Sequence, residues 1–357
     1  MKILLIGEFS NVNNYLADGL KFLGHNVFLA NTGDGQRAFY YDYNWKQGTK
    51  PNFVGKIQQI VNLYTHRYLF RGYDIVQVIM PSYNGRLPYI NKLFAKYLID
   101  NNHKLFWTPA GTSDIITKFW VENKIMKSAI YDYYFETARR EHKKLNYEWR
   151  NRLNYEKWFV DNINGIIPIC FEYAEPFRTH PNFLGTIPLP INTDKLKYQE
   201  NIVSDKIIFY HGETRPVKGT VYIKEAFDRL KDSYNGVAEF ICNKQLPYNE
   251  YVKIINKANV IIDQTNSYGS GMSGLISMAK GKVVMGGGEL QAIREMKYDF
   301  CPIVNITSNV NQICNAIESI INRKNEINQM GVDSRRFIET YHDYRVVAKQ
   351  FIEKWKV

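Results

Sequence analysis

The stretch Asn259-Val260-Ile261-Ile262-Asp263-Gln264-Thr265-Asn266-Ser267-Tyr268-Gly269-Ser270-Gly271-Met272-Ser273-Gly274 opens on a β-branched apolar run and closes on a glycine-rich turn. The run has the length and composition of a buried strand, and residues 272–280 behind it read as a helix. Strand, turn and helix in that order make one unit of a parallel sheet covered by helices. Across the turn, Gly269, Gly271 and Gly274 spell G-x-G-x-x-G. Glycines there let backbone N–H groups approach an anion closely, and the helix dipole stabilises its charge. Gly271, Met272, Ser273 and Gly274 are therefore expected to contact a phosphate, with Tyr268 beside them; a purely structural turn is the alternative.

Outward from this unit the alternation continues. Strands are expected over 206–210, 238–242 and 282–285, with helices over 220–231 and 249–258, so the second half is a doubly wound α/β unit. The segment Phe209-Tyr210-His211-Gly212-Glu213-Thr214-Arg215-Pro216-Val217-Lys218-Gly219-Thr220 joins its first strand to its first helix. Gly212, Arg215 and Lys218 fall at the carboxyl end of that strand, the edge where open α/β sheets bind ligands. A guanidinium and an ammonium suit a diphosphate. A solvated basic loop is the bland alternative, opposed by the glycine turn expected along the same edge. Glu289 follows Gly286-Gly287-Gly288 at the next strand end, either facing the ligand or complementing a helix dipole.

The first half repeats the pattern, with strands expected over 2–6, 26–30, 74–79, 104–107 and 165–169. Its first strand runs into Gly7-Glu8-Phe9-Ser10-Asn11-Val12-Asn13, which brings Glu8, Ser10, Asn11 and Asn13 to the same kind of edge. A second strand end, Trp107 to Asp114, adds Thr112 and Asp114; Asp114 equally fits a helix cap. Two prolines in Thr186-Ile187-Pro188-Leu189-Pro190 break the sheet pattern, and a length of 357 residues suits two domains. The expected division is 1–192, 193–340, and a closing amphipathic helix over 341–357 in which Tyr344, Val347, Phe351 and Trp355 recur at helical spacing.

Composition narrows the function. No run approaches the roughly 18 apolar residues that span a bilayer, and Cys170, Cys242, Cys301 and Cys314 lack metal or redox spacing, so a cytoplasmic protein with reduced thiols is expected. Forty-six Lys and Arg against 35 Asp and Glu leave a net charge of +11, which favours anionic partners. No nucleic-acid module accompanies that charge, so nucleic acid is not expected. Residues 139–152 interleave basic and aromatic side chains, a pattern that fits the headgroup layer of an anionic membrane or a solvated helix whose aromatics turn inward.

Arg215, Lys218-Gly219, the glycine turn and Met278-Ala279-Lys280-Gly281-Lys282-Val283-Val284 together resemble the retaining GT-B glycosyltransferases that use nucleotide sugars to build cell-surface polysaccharides. The linker Pro190-Ile191-Asn192-Thr193-Asp194 is similar to that family's crossover between domains. The resemblance implies two Rossmann-like domains facing across a cleft, the last helix returning to the first domain, and no cofactor beyond a UDP- or GDP-linked sugar as substrate. It implies that Arg215 and Lys218 neutralise the leaving diphosphate, that Asp114 takes part in catalysis, and that a glycan or lipid-linked oligosaccharide acceptor is held by the N-terminal half. The chain carries no Asp-x-Asp, so no metal is expected. One departure stands out: Tyr268 and Ile276 occupy the places of the glutamate pair that flanks the family's glycine loop, with Glu289 the nearest substitute. A catalytically silent accessory subunit, a sugar-nucleotide epimerase and a dinucleotide-dependent oxidoreductase are the alternatives.

Overall fold

The structure is a computed structural model that describes residues 1–32, 40–50, 52–83, 85, 87–125, 127, 147–213, 218–244 and 248–357, with backbone alone at 147, 148, 248, 249 and 251. Contacts divide the chain into two units. The first comprises Met1–Phe119, Arg140–Pro190 and Tyr344–Val357; the second comprises Trp120–Arg139 and Ile191–Asp343. The chain thus changes unit at Pro190 and again at Asp343, and residues 120–125 and 127 group with the second unit despite their place in the sequence.

In the first unit, β1 (Lys2–Ile6), β2 (Asn26–Ala30), β3 (Ile75–Val78), β4 (Lys104–Trp107) and β5 (Gly165–Ile166) form a parallel sheet in the order β2-β1-β3-β4-β5. A parallel sheet is covered on both faces, which is why its strands read as near-continuous apolar runs. Helix α1 (Val12–Phe22) lays Leu16, Ala17 and Leu20 on Ile3, Leu5, Val27 and Ile75, and the closing helix packs Val347, Ala348, Phe351 and Trp355 into the same core. Gly19 permits that packing: a Cβ there would lie 2.2 Å from the carbonyl oxygen of Tyr344. Strand β5 stops before Pro168, which has no N–H to extend a ladder.

Helices α2 (Phe53–Thr65), α3 (Pro88–Asn101), α4 (Asp114–Glu122) and α5 (Tyr147–Asp161) are the longer helices of the rest of the first half, beside a single helical turn at Phe171–Ala174. In the second unit β6 (Ile207–Glu213), β7 (Ala238–Lys244), β8 (Val260–Ile262), β9 (Val283–Gly286) and β10 (Val304–Asn305) form a parallel sheet in the order β10-β9-β8-β6-β7. Between them run α6 (Thr220–Leu230), α7 (Tyr248–Lys257), α8 (Met272–Ala279) and α9 (Leu290–Glu295), and after β10 follow α10 (Val310–Asn322) and α11 (Ile327–Phe337). Strand β6 extends three residues past its expected end, and β10 has only two residues, too few to show a sequence pattern. A π-helical turn, Ile338–His342, precedes α12 (Tyr344–Lys354), so the last helix starts later than its periodicity suggests. Among the described residues no helix is long and apolar enough to cross a membrane.

Candidate functional site

In the second sheet β7 lies on one side of β6 and β8 on the other, so the chain reverses direction between β6 and β8. Loops leaving two such strands diverge and open a crevice at their carboxyl ends. The β6–α6 loop carries Lys218, and the β8–α8 loop carries the glycine turn, so the fold brings these two sequence-predicted segments together.

They are joined atom to atom. The amide of Thr265 donates to the carbonyl of Lys218 at 3.2 Å. Gly219 is left-handed, with φ +71°, and a Cβ there would lie 1.9 Å from Thr265 Oγ1, so this crossing requires glycine. The Lys218 ammonium meets Asp263 Oδ1 at 3.0 Å, and the Gly271 amide donates to Asp263 Oδ2 at 3.2 Å. Asp263 is 2% exposed. Its carboxylate thus ties the basic loop to Gly271, the N-cap of the glycine-loop helix, which has no side chain to satisfy the first amides. Ser270 Oγ is buried, and a Cβ on Gly274 would lie 2.1 Å from it. Met272 and Ser273 begin α8. Gly212 lies within β6, paired with Asn243. Arg215 lies outside the described residues.

His211, which the sequence reading passed over, braces the same edge. Its Nδ1 donates to the carbonyl of Ile262 at 2.8 Å, which leaves Nε2 to accept from Thr220 Oγ1 at 2.8 Å. Burial pushes its pKa down to about 4, against the opposing effect of the Ile262 carbonyl, so the ring stays neutral as it links β6, β8 and the start of α6. Asp263 was also passed over as a site residue. Its signal in the sequence is a carboxylate directly after the apolar run of β8, which reads equally well as the strand's polar end.

Glu289 stands before α9, and its amide donates to the carbonyl of Tyr268 at 3.0 Å. Asn305 Nδ2 donates to its carboxylate at 2.9 Å, and Lys127 pairs with the same oxygen while also donating to the carbonyl of Ile306 at 3.1 Å. Burial acts to raise the Glu289 pKa, but Lys127 and Asn305 outweigh it and hold the group below its ordinary value. Gly287 lets this turn sit against the glycine loop, since a Cβ there would lie 2.4 Å from the carbonyl of Ser267.

The first sheet has its own reversal between β1 and β3, and the β1–α1 loop lies there. Glu8, 6% exposed, accepts from the amides of Phe9 at 2.7 Å and Asn14 at 2.9 Å. Burial raises its pKa, partly opposed by those bonds. Asn13 is fully buried and donates to the carbonyl of Gly7 at 2.7 Å. Glu8 and Asn13 thus shape the loop, while Ser10 and Asn11 are half-buried at its turn, both left-handed with φ 53° and 73°. Thr112 is exposed. Asp114 opens α4 and receives a two-pronged contact from Arg152, at 2.9 and 3.1 Å. Ser113, not Asp114, caps this helix, its Oγ accepting from the amide of Ile116 at 3.3 Å. Glu156 accepts from the amides of Asp114 and Ile115 at 3.1 and 2.8 Å; burial, with the Asp114 charge adding, pushes its pKa up to about 7. Of the basic and aromatic stretch 139–152, residues 139–146 lie outside the described residues. In the part described, Trp149 is buried and Arg152 is paired with Asp114.

No protein-family model and no curated protein matches the sequence. Solved structures do resemble it in shape. Sucrose-phosphate synthase from Thermosynechococcus elongatus superposes with a TM-score of 0.63 at 14% identity, over 100% of this chain and 98% of that one. Anabaena HepE in complex with UDP and glucose matches with a TM-score of 0.60 at 11% identity, over 100% and 99% of the two chains. The catalytic domain of starch synthase IV from Arabidopsis thaliana, bound to ADP and acarbose, matches at 0.59 and 12%, over 100% and 99%. At such identities the likeness is one of fold: this chain has the two-domain α/β architecture of the GT-B proteins along its whole length.

Proposed function

We propose that the protein is a glycosyltransferase that takes its sugar from a nucleoside-diphosphate donor bound by the second unit. The observation that carries this reading is the link from Lys218 through Asp263 to Gly271, which joins a basic loop and an uncapped helix start at the crevice between β6 and β8. Such a crevice receives anionic ligands. HepE and starch synthase IV, which share the fold, are described as complexes with UDP and ADP. In the proposed reaction Lys218, Arg215 and the backbone from Gly271 to Gly274 stabilise the charge that develops on the departing diphosphate. Catalysis of this kind is mostly positioning and electrostatics. Tyr268, Gly212 and Glu289 border the donor, and Asp114, Glu8, Ser10, Asn11, Asn13 and Thr112 serve the acceptor, a glycan or lipid-linked oligosaccharide. By resemblance to the cell-surface polysaccharide enzymes, transfer proceeds with retention and without a metal.

The test is thermal shift with UDP, GDP, ADP, CMP and NAD, because a ligand that binds only the folded state raises the melting temperature. A rise with one nucleoside diphosphate supports the donor site and names the base; a rise with NAD alone, or none at all, overturns it. A second reading, an accessory subunit without activity, is favoured by one observation: Glu289, the substitute for the missing glutamate pair, is already engaged by Lys127 and Asn305. Nucleotide binding without hydrolysis or transfer would select it.

A further inference from the structure

We infer that helix α2, with the start of α3, is a docking surface for an anionic lipid bilayer. A surface helix ordinarily turns its apolar stripe to the core and its polar residues to water. Helix α2 departs from this: it turns a second set of apolar residues to water. Its buried positions are Gly55 and Leu63, and Gly55 sits so close to the preceding loop that a Cβ would lie 1.8 Å from the carbonyl of Lys50. On the opposite side Phe53 is 77% exposed, Val54 69%, Ile57 47% and Val61 50%. Phe53, Ile57 and Val61 follow at four-residue spacing and so form one stripe along the helix.

Helix α3 lies beside it. Tyr64 of α2 donates through its hydroxyl to the carbonyl of Ile90 at 3.1 Å, and its ring meets Phe94 edge-on with centroids 6.1 Å apart. From α3 the side chains of Tyr89 and Leu93 are exposed as well.

Charge selects the occupant. Between Asp42 and Asp74 the chain carries Lys46, Lys50, Lys56, Arg67 and Arg71 and no carboxylate; between Asp74 and Asp100 it carries Arg86, Lys92 and Lys96, of which Lys96 is paired with Asp100 at 3.2 Å. Lys50, Lys56, Arg67, Arg71 and Lys92 are exposed. An outward aliphatic and aromatic stripe framed by one-signed basic residues matches a surface of phosphate headgroups over hydrocarbon, where each Lys or Arg and each inserted apolar group adds to binding. Of the basic and aromatic stretch 139–152, residues 139–146 lie outside the described residues and Trp149 is buried, so α2 is assigned on its own residues. This inference stands apart from the nucleotide chemistry, and failure of either leaves the other in force.

The experiment is co-sedimentation of the full chain with vesicles of phosphatidylcholine alone and with about one-third phosphatidylglycerol, at low and high salt. The wild-type protein is expected to pellet with the anionic vesicles and to be released by salt. Phe53→Ser/Ile57→Ser is expected to weaken binding at least about tenfold, since both apolar groups leave the interface. Lys50→Glu/Lys56→Glu should weaken it by a similar factor. Val221→Ser, an exposed apolar position on α6, should leave it unchanged. Because the substituted side chains are exposed, unchanged melting temperatures certify the fold. The inference is overturned if the wild type stays in the supernatant, if the Phe53 and Ile57 pair can be replaced without loss, or if the wild type is a dimer that this pair of substitutions dissolves, which would make the occupant a second copy.

Discussion

Lys218 and Asp263 offer the sharpest perturbation, because one contact joins stability to the proposed chemistry. The side chains are 15% and 2% exposed, and their atoms are 3.0 Å apart. Removing one member of a buried pair leaves the other charge without its counterion, at a cost of roughly 3–5 kcal/mol. Lys218→Ala leaves the Asp263 carboxylate still accepting from the Gly271 amide but without the ammonium. In a unit of this size each kcal/mol lowers the melting temperature by roughly 2–4 °C, so a fall of roughly 6–20 °C is expected. Asp263→Ala should fall by a comparable amount. In the double variant no uncompensated charge remains, and its loss should be smaller than the sum of the two by roughly 2–3 kcal/mol. Denaturant melts of all four proteins give that coupling directly. Nucleotide then separates the roles of Lys218: if its ammonium also contacts the diphosphate, the partly recovered double variant still loses the melting shift produced by the nucleoside diphosphate. Additive losses would refute the buried pair. A Lys218→Ala protein that melts like wild type and transfers sugar at full rate would refute both roles.

Gly219→Ala places a methyl group 1.9 Å from Thr265 Oγ1 at a left-handed φ, so a loss of at least about 2 kcal/mol is expected; a melting curve that matches wild type would show that the two loops do not cross as described. Glu156 carries a pH signature. Its pKa rises from 4.5 to about 7 on folding, so the fold prefers the protonated acid; the resulting stabilisation is full below pH 4.5 and is lost as pH rises through about 7, a change of roughly 3 kcal/mol. Glu156→Gln lacks that titration, so the stability of the wild type relative to this variant should fall between pH 5 and 8. A difference that stays constant over the range would exclude the titration.

Much of the architecture was legible in the sequence, because strands buried on both faces need continuous apolar runs and their connecting helices need an apolar stripe. The second-half strands, the glycine turn and Lys218-Gly219 were local patterns, and local patterns survive without knowledge of the fold. Two-residue β10 was too short to leave one, and the backbone of β6 continued past its apolar run because β7 offered a full parallel partner through Lys244. What tertiary structure decided was which polar groups meet. Asp263 reads as the end of a strand until the reversal between β6 and β8 brings Lys218 and Gly271 to its two oxygens. Glu156 reads as one more helix acid until α5 delivers it to the first amides of α4, and His211 reads as a strand residue until Ile262 and Thr220 close on its ring. The apolar residues of α2 were equally visible in the sequence, but periodicity names a stripe without saying which way it faces. Direction comes from packing: the helix rests on Gly55 and Leu63, and that choice leaves Phe53, Ile57 and Val61 on the outside.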